Sequence, residues 1–525
     1  MMQRRGPLGG RSTKVHQDKA RLGMIKRNLT VSRHRSAVIA GALGCVLFLS
    51  GCANFSGDGG MAFVKSEAGG ELNKDVAKIR TEAEAAATKA RVQALLKKQL
   101  TVETAVQIAL LNNRGLQAAY SELGISEAQM VEASLPPSPT LSLSRMAATG
   151  QIEIERQILQ NILGLITLRP RKEIAEAKFT QAKVRAVEAT LKTAAEARRA
   201  YFRAVASGRS VAFLEEAHTT AESLSDLAVK LGETGALTKM EQAREHAFTA
   251  EVNGQLAVAR LKQRMEREKL IRALGLWGNE TAALKLPTTL AALPKSPTTY
   301  KDVETEAVRR RVDLEIARQD LEILAKQLGL TTATRYIDVL ELRGISRYER
   351  KNTTEVNYRL DPGPTLVREE EPGKEKANWR GVELEFKIPI YDFGEARTKL
   401  AEETYMAAVH RLIEKAVNTR SEAREAYTGY RGAYDIAKFY QTEILPLRQI
   451  INDEMLLNYN GMLKDLFALL TDTKARIAAN VQAIDAQRDY WLAKVDLHVA
   501  LVGGGATAGG GGSTQVSAGG EPGGH

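Results

Sequence analysis

The chain has 525 residues, of which 44% are hydrophobic and 26% are charged, and its formal net charge is +11 at pH 7. Ten basic residues but only one acidic residue precede Cys52, which leaves 64 basic and 62 acidic residues in the rest of the chain. The excess positive charge therefore belongs to the N-terminus, and it argues against a nucleic-acid-binding face elsewhere.

Residues 1–51 are predicted to be a signal peptide. Basic residues up to Arg35 precede an apolar run, residues 37–49, that is too short to span a bilayer as a helix. The run ends in Leu-Ser-Gly-Cys, which resembles the lipobox of bacterial lipoproteins, and this resemblance makes Cys52 the lipid-attachment residue. By resemblance to the lipoprotein sorting pattern, the alanine that follows Cys52 implies sorting to the outer membrane. The leader is unusually long, and a start at Met24 would give it an ordinary length.

Residues 52–100 are predicted to be a lipid-linked tether, Gly-rich up to about residue 75, followed by a segment that leads into the first helix. Apolar residues at helical spacing then predict a short helix from Thr101 to Ala133, which ends before Pro136 and Pro137. Period-two alternation predicts a β-hairpin over 139–160. The first repeat, residues 101–286, continues with a long helix over 170–231 and a return helix over 238–276.

Residues 287–300 form a predicted linker to the second repeat, residues 301–502. Its order is the same: a short helix, strands over 335–345 and 379–389, a long helix over 394–458 and a return helix over 463–501. The charged residues between the two strands, 346–377, show no periodicity and are predicted to be an exposed, mobile loop. The Gly-rich tail, residues 503–525, is predicted to be disordered.

The two repeats match residue for residue where the long helices lie. Residues 171–235 align with residues 397–461 without a gap, so that Tyr201 falls on Tyr427 and Gly235 falls on Gly461. Such self-similarity indicates a duplicated unit. Each copy reads as a helix of about 60 residues, which would be roughly 90 Å long.

The strand that precedes the second long helix is amphipathic. Val382, Leu384 and Phe386 alternate with Glu383 and Glu385, a pattern that suits lipid on one side and water on the other. Four strands cannot close a barrel, and an open sheet edge in hydrocarbon leaves backbone groups unpaired. Oligomerisation would remove these edges, and a homotrimer would supply twelve strands.

Several motifs resemble those of the TolC-type outer-membrane efflux protein family. They are Leu135-Pro136-Pro137, the segment from Ile388 to Gly394, and the turns Leu231-Gly232-x-x-Gly235-Ala236-Leu237 and Gly461-Met462-Leu463. The resemblance implies a mainly α fold with a small β part: a trimeric 12-stranded transmembrane β-barrel continued by a periplasmic α-helical coiled-coil barrel, with two internal repeats per protomer. It also implies a lipid-anchored channel in the outer membrane of a Gram-negative bacterium.

The same resemblance implies partners and sites. The turns named above would dock onto a periplasmic adaptor (membrane fusion protein), which would join the channel to an inner-membrane pump of the resistance-nodulation-division type. Asp453, Glu454 and Asp465 flank the second turn, and under threefold symmetry they would form rings of carboxylate at a periplasmic gate. Such rings select for cations. Ordinary solvated acidic residues remain an equal alternative for these three.

Neither an enzyme nor a metal site is indicated. The histidines of the mature chain, such as His218, His246, His410 and His498, have no partner at metal-ligand or triad spacing. The sequence predicts no cofactor other than the lipid on Cys52. Two alternatives stay open: a periplasmic coiled-coil scaffold or adaptor lipoprotein without a pore, and the same duct used for type I protein secretion.

Overall fold

The structure, a computed structural model, describes residues 55–360 and 366–505. The predicted signal peptide, Cys52 and most of the predicted Gly-rich tail lie outside these residues. From Gly57 onward the described residues belong to one unit of helices and a small sheet. No helix in the described ranges contains an 18-residue stretch apolar enough to cross a membrane.

The first half of this unit contains short helices, one hairpin and two long helices. They are α1 (Met61–Val64), a π-helical turn (Lys65–Gly69), α2 (Gly70–Leu72), α3 (Glu82–Leu96), α4 (Val102–Asn112), α5 (Arg114–Ser134), β1 (Thr140–Ala148), β2 (Gln151–Asn161), α6 (Ile162–Ile166), α7 (Leu168–Glu233), α8 (Lys239–Leu274) and α9 (Asn279–Ala282). The 66 residues of α7 make it roughly 100 Å long.

The second half repeats this order. It contains α10 (Val303–Arg310), α11 (Val312–Ala333), β3 (Val339–Leu360), β4 (Leu366–Lys387), α12 (Glu395–Phe439), a π-helical turn (Tyr440–Ile444), α13 (Leu445–Asn460) and α14 (Leu466–Val502). The π-helical turn interrupts the second long helix, for which one continuous helix was predicted. Pro446 explains the interruption, because proline has no backbone N–H to donate to the carbonyl four residues earlier.

Both short helices of the two repeats are broken at the same place. Asn113 separates α4 from α5 with φ −69° and ψ 116°, and Arg311 separates α10 from α11 with φ −71° and ψ 116°. A single helix was predicted at each position. The Asn113 side chain accepts a hydrogen bond from the Leu116 amide and so caps α5, whereas Arg311 is buried and ion-paired with Asp313 and Glu422.

The four strands form one antiparallel sheet in the order β1-β2-β3-β4, with β1 and β4 at its edges. The register joins Leu141 to Ile158, Ile158 to Gly344 and Gly344 to Val382. Because directly paired residues point to the same face, the alternation predicted for residues 382–387 is confirmed, with apolar and charged side chains on opposite faces.

The mobile loop predicted over residues 346–377 is wrong. β3 and β4 pair continuously from Val339–Lys387 to Leu360–Leu366, so most of this segment is a long hairpin that extends past β1 and β2. Its outer part is mostly polar on both faces, with Val356 and Tyr358 as exceptions, so apolar residues do not alternate there regularly enough to mark a strand. Pro372 also lies in β4, where an edge strand tolerates the missing N–H.

The Gly-rich start of the predicted tether is also not a free linker. Met61, Val64, Ala68 and Leu72 are buried in the main hydrophobic core, together with residues of α4, α5, α7 and α14. The predicted linker before the second repeat is likewise packed: the Tyr434 hydroxyl donates to the carbonyls of Pro294 and Lys295 at 3.1 and 2.8 Å.

Candidate functional site

The sheet presents two faces of opposite character. One face, here called the apolar face, carries large exposed hydrophobic side chains near the end of the strands that meets the helices. They are Leu141, Leu143, Ile158, Leu342, Val382, Leu384 and Phe386. Val382 is 77% exposed and Leu143 is 69% exposed in a single chain. A patch of apolar side chains that is exposed on a single chain is typically covered by lipid or by a protein partner.

The opposite face, here called the charged face, holds cross-strand ion pairs. Arg343 contacts both Glu383 and Glu385 at 3.4 Å, and Arg347 contacts Glu153 at 2.8 Å and Glu155 at 3.6 Å. These pairs are partly exposed, so they define a hydrated surface and add little stability. A sheet that is apolar on one face and charged on the other can separate lipid from water.

The first of the two turns between long helices joins α7 to α8. The Ala236 amide donates to the Leu231 carbonyl at 2.8 Å, and the Gly235 amide donates to the Gly232 carbonyl at 3.1 Å. Gly235 has φ +78°, a conformation that glycine adopts without strain. Thr238 then begins α8 with a reciprocal capping box.

The second turn joins α13 to α14. Here the left-handed residue is Met462, with φ +56°, rather than the neighbouring Gly461. The Leu463 amide closes the turn on the Asn458 carbonyl at 2.8 Å. Met462 and Leu463 are 94% and 74% exposed, so both apolar side chains are free for contact with another protein.

The structure brings the two turns together at one end of the helices. Ala228 of α7, Leu466 and Leu469 of α14 form a small buried cluster, against which Leu237 and Tyr459 pack. Residues of both turns therefore form one apolar tip. Among the predicted docking residues, Leu237 of the first turn is partly buried in this tip, whereas Met462 and Leu463 of the second turn remain exposed.

The three acidic residues predicted at the gate have different local roles. Asp465 is the N-cap of α14, because its Oδ1 accepts from the Ala468 amide at 2.9 Å. Asp453 accepts from Gln449 Nε2 at 2.8 Å, and both Asp453 and Glu454 are exposed on α13, a helix with no buried residues. Helix capping accounts for Asp465. Asp453 and Glu454 are exposed carboxylates that form no ion pair with a described residue.

A fourth acidic residue near the tip was missed by the sequence analysis. Glu245 of α8 is fully buried, and neither of its carboxylate oxygens has a hydrogen-bond partner among the described residues. Burial raises the pKa of Glu245 to about 7, and nearby Lys474 opposes this rise. Its position on a helix rich in solvated Glu residues gave no signal that this one is buried.

Asp472 of α14 is a second buried carboxylate at this end of the helices. Its Oδ1 lies 3.6 Å from Arg448 Nη1, and its Oδ2 has no hydrogen-bond partner among the described residues. This ion pair connects α14 to α13. No group of three His, Cys, Asp or Glu residues able to hold a metal occurs in the described part of the chain.

Neither a protein-family model nor a curated protein sequence matches the chain. Solved structures do. The CmeC outer membrane channel of Campylobacter jejuni is 16% identical with a TM-score of 0.61, and the alignment covers 78% of this chain and 87% of that one. The outer membrane protein VceC of Vibrio cholerae is 16% identical with a TM-score of 0.60, covering 79% and 97%. The open MtrE outer membrane channel of Neisseria gonorrhoeae is 15% identical with a TM-score of 0.58, covering 77% and 89%.

The chain has the fold of TolC-type outer-membrane channels. The predicted fold class, mainly helical with a small sheet, is thereby confirmed. Of the structures named above, those of CmeC and MtrE are outer membrane channels. Within the TolC-type fold, the sheet and the apolar tip occupy opposite ends of the long helices.

Proposed function

We propose that this protein is the outer-membrane channel of a tripartite efflux system and serves as a passive exit duct for small molecules. Three copies would close a 12-stranded barrel in the outer membrane of a Gram-negative bacterium. Their helices would continue as a tunnel through the periplasm. The acylated Cys52 would anchor each copy to the membrane.

The observation that carries this proposal is the incomplete sheet. β1 and β4 are open edges, and the apolar face beside them is exposed. Each unpaired backbone group would cost several kcal/mol in hydrocarbon, so a sheet of four strands cannot stand alone in a membrane. Pairing β4 of one protomer with β1 of the next would remove both edges where the two strands overlap and would turn every charged face toward a common water-filled lumen.

The apolar tip supports the part of the proposal that concerns a pump and an adaptor. A passive channel needs an energy source elsewhere, which we assign to an inner-membrane pump of the resistance-nodulation-division type acting through a periplasmic adaptor. The exposed Met462 and Leu463 supply the apolar contacts for that adaptor. Contact there would favour an open arrangement of the helices around Asp453, Glu454 and Asp465 by binding the open state more tightly.

Planar-bilayer recording of the purified full-length protein tests this function. We expect discrete current steps, with heat-sensitive trimers on gels of the same preparation. A scaffold or adaptor lipoprotein without a pore would give membrane association but no steps. Failure to record any current from correctly folded trimers would overturn the proposed channel.

A further inference from the structure

The apolar face of the sheet changes character along the strands. Close to the helices it carries the hydrophobic side chains described above, whereas farther along, in the part where all four strands are paired, it carries five basic residues. The strand register places these five on the same face, in neighbouring rows. They are Arg145, Arg156, Arg350, Lys376 and Arg380, hereafter the basic cluster.

The residues of the basic cluster lack the acidic side-chain partners that the arginines of the charged face have among the described residues. Where all four strands are paired, up to the pair Gln151–Lys351, the apolar face carries no acidic residue, because every Glu there lies on the charged face. Glu370 lies on the apolar face farther out along β4, and it is ion-paired with Arg368. None of the five forms an ion pair or a side-chain hydrogen bond with a described residue. Arg343 and Arg347, on the charged face of the same sheet, each contact two glutamates.

The height of the basic cluster matches the border of a lipid bilayer. At about 3.4 Å per residue and a strand tilt near 40°, Arg380 lies roughly 20 Å and Lys376 roughly 30 Å above Ile388 along the barrel axis. The apolar band of such barrels is about 25 Å tall. The exposed Tyr336, Tyr391 and Phe393 mark the opposite border, as aromatic girdles do.

We propose that the basic cluster binds the phosphate groups of anionic lipids in the leaflet farther from the helices. This inference rests on the proposed membrane position of the sheet. An arginine guanidinium group can donate two parallel hydrogen bonds to the oxygens of one phosphate. The long arginine side chain can also extend from the apolar band to the lipid headgroups. Lipid is the occupant that the surface favours, because the cluster is continuous with exposed apolar side chains and intermixed with Ile152, Ile154 and Tyr348.

Lipid retention by the purified full-length protein tests the inference. The protein is reconstituted into phosphatidylcholine vesicles that also contain about 20% of either phosphatidylglycerol or diphosphorylated lipid A. It is then re-extracted, and the bound lipid is counted by native mass spectrometry. We expect anionic lipid to be retained in excess over phosphatidylcholine. The double variant R156Q/R380Q should reduce this excess roughly tenfold, as expected when charges near an anionic surface are removed.

The charged face provides a matched control. Lys351 and Lys387 are exposed there, and K351Q/K387Q removes the same charge from β4 and from its neighbour β3. We expect this variant to retain lipid as the unmodified protein does. Equal losses in both double variants, or no preference of the unmodified protein for anionic lipid, would overturn the inference.

The result can be separated from the proposed function. Bilayer recordings of R156Q/R380Q should still show current steps, since neither residue faces the lumen. Normal steps with no lipid preference would reject the lipid site and leave the channel intact, whereas loss of current in the unmodified protein would reject the channel.

Discussion

Glu245 is a buried carboxylate near the apolar tip, with no hydrogen-bond partner among the described residues, and its raised pKa makes its effect on stability depend on pH. Because the folded-state pKa of about 7 lies above the usual 4.5, the contribution of Glu245 is fully favourable below pH 4.5 and is lost as the pH rises through 7. Ionised Glu245 therefore weakens the tip above neutrality.

Replacing Glu245 with glutamine should remove this pH dependence. We expect E245Q to be more stable than the unmodified protein at pH 8.5 by roughly 1–3 kcal/mol, and the difference to shrink at pH 5.5. Thermal unfolding of the detergent-solubilised protein at both pH values measures it. Glu268 is an exposed glutamate of the same helix, so E268Q serves as the control and should keep the original pH profile. Parallel profiles for E245Q and the unmodified protein would contradict this account.

Asp453 and Asp465 test whether the tip selects ions by charge. D453N/D465N should increase the permeability of the channel to anions relative to cations, because two carboxylate rings lose their charge. Asparagine is as good an N-cap as aspartate, so the start of α14 should be preserved. Reversal potentials in a salt gradient measure the change, with E268Q again as control. An unchanged reversal potential would remove these residues from the gate.

At the scale of secondary-structure elements, the junction between the sheet and α12 depends on one glycine. Gly394 has φ +71°, and a Cβ at this position would lie 2.3 Å from the Arg335 carbonyl oxygen. G394A should therefore destabilise the protein by roughly 2 kcal/mol or more, since both the conformation and the space exclude a side chain.

Gly429 provides the matched control for this junction. It lies in the middle of α12, and a Cβ there would meet nothing within 4 Å. G429A should be neutral or stabilise the helix by roughly 0.5–1 kcal/mol. Thermal unfolding compares the two variants, and equal melting temperatures for G394A and G429A would show that the junction is not constrained as described.

The sequence predicted elements well where one signal dominated. The helix-favouring composition of the long helices and the alternation over residues 382–387 gave the right element types, and the duplication gave the order. It failed where tertiary contacts decide. The helix breaks at Asn113 and Arg311 depend on capping and a buried ion pair, and the outer part of the long hairpin depends on backbone pairing between strand segments that are mostly polar.

The candidate site shows the same division. Glycine turns made the two tips visible in the sequence, because reversal of a long helix needs such residues. The burial of Glu245 and the separation of basic from acidic side chains on the sheet depend on which helix packs where and on the strand register. Neither can be obtained from residue types alone.

For the molecule as a whole, the central claim is that four strands are completed by two more copies of the same chain. The most direct measurement is disulfide crosslinking between sheet edges, with one cysteine placed on β1 at Ser144 and a panel of second cysteines on β4 at Gly381, Glu383 and Glu385, all on the charged face. We expect at least one pair to link the protein into covalent closed trimers that still conduct current in bilayers. Monomers only, or an open ladder of larger species, would contradict it.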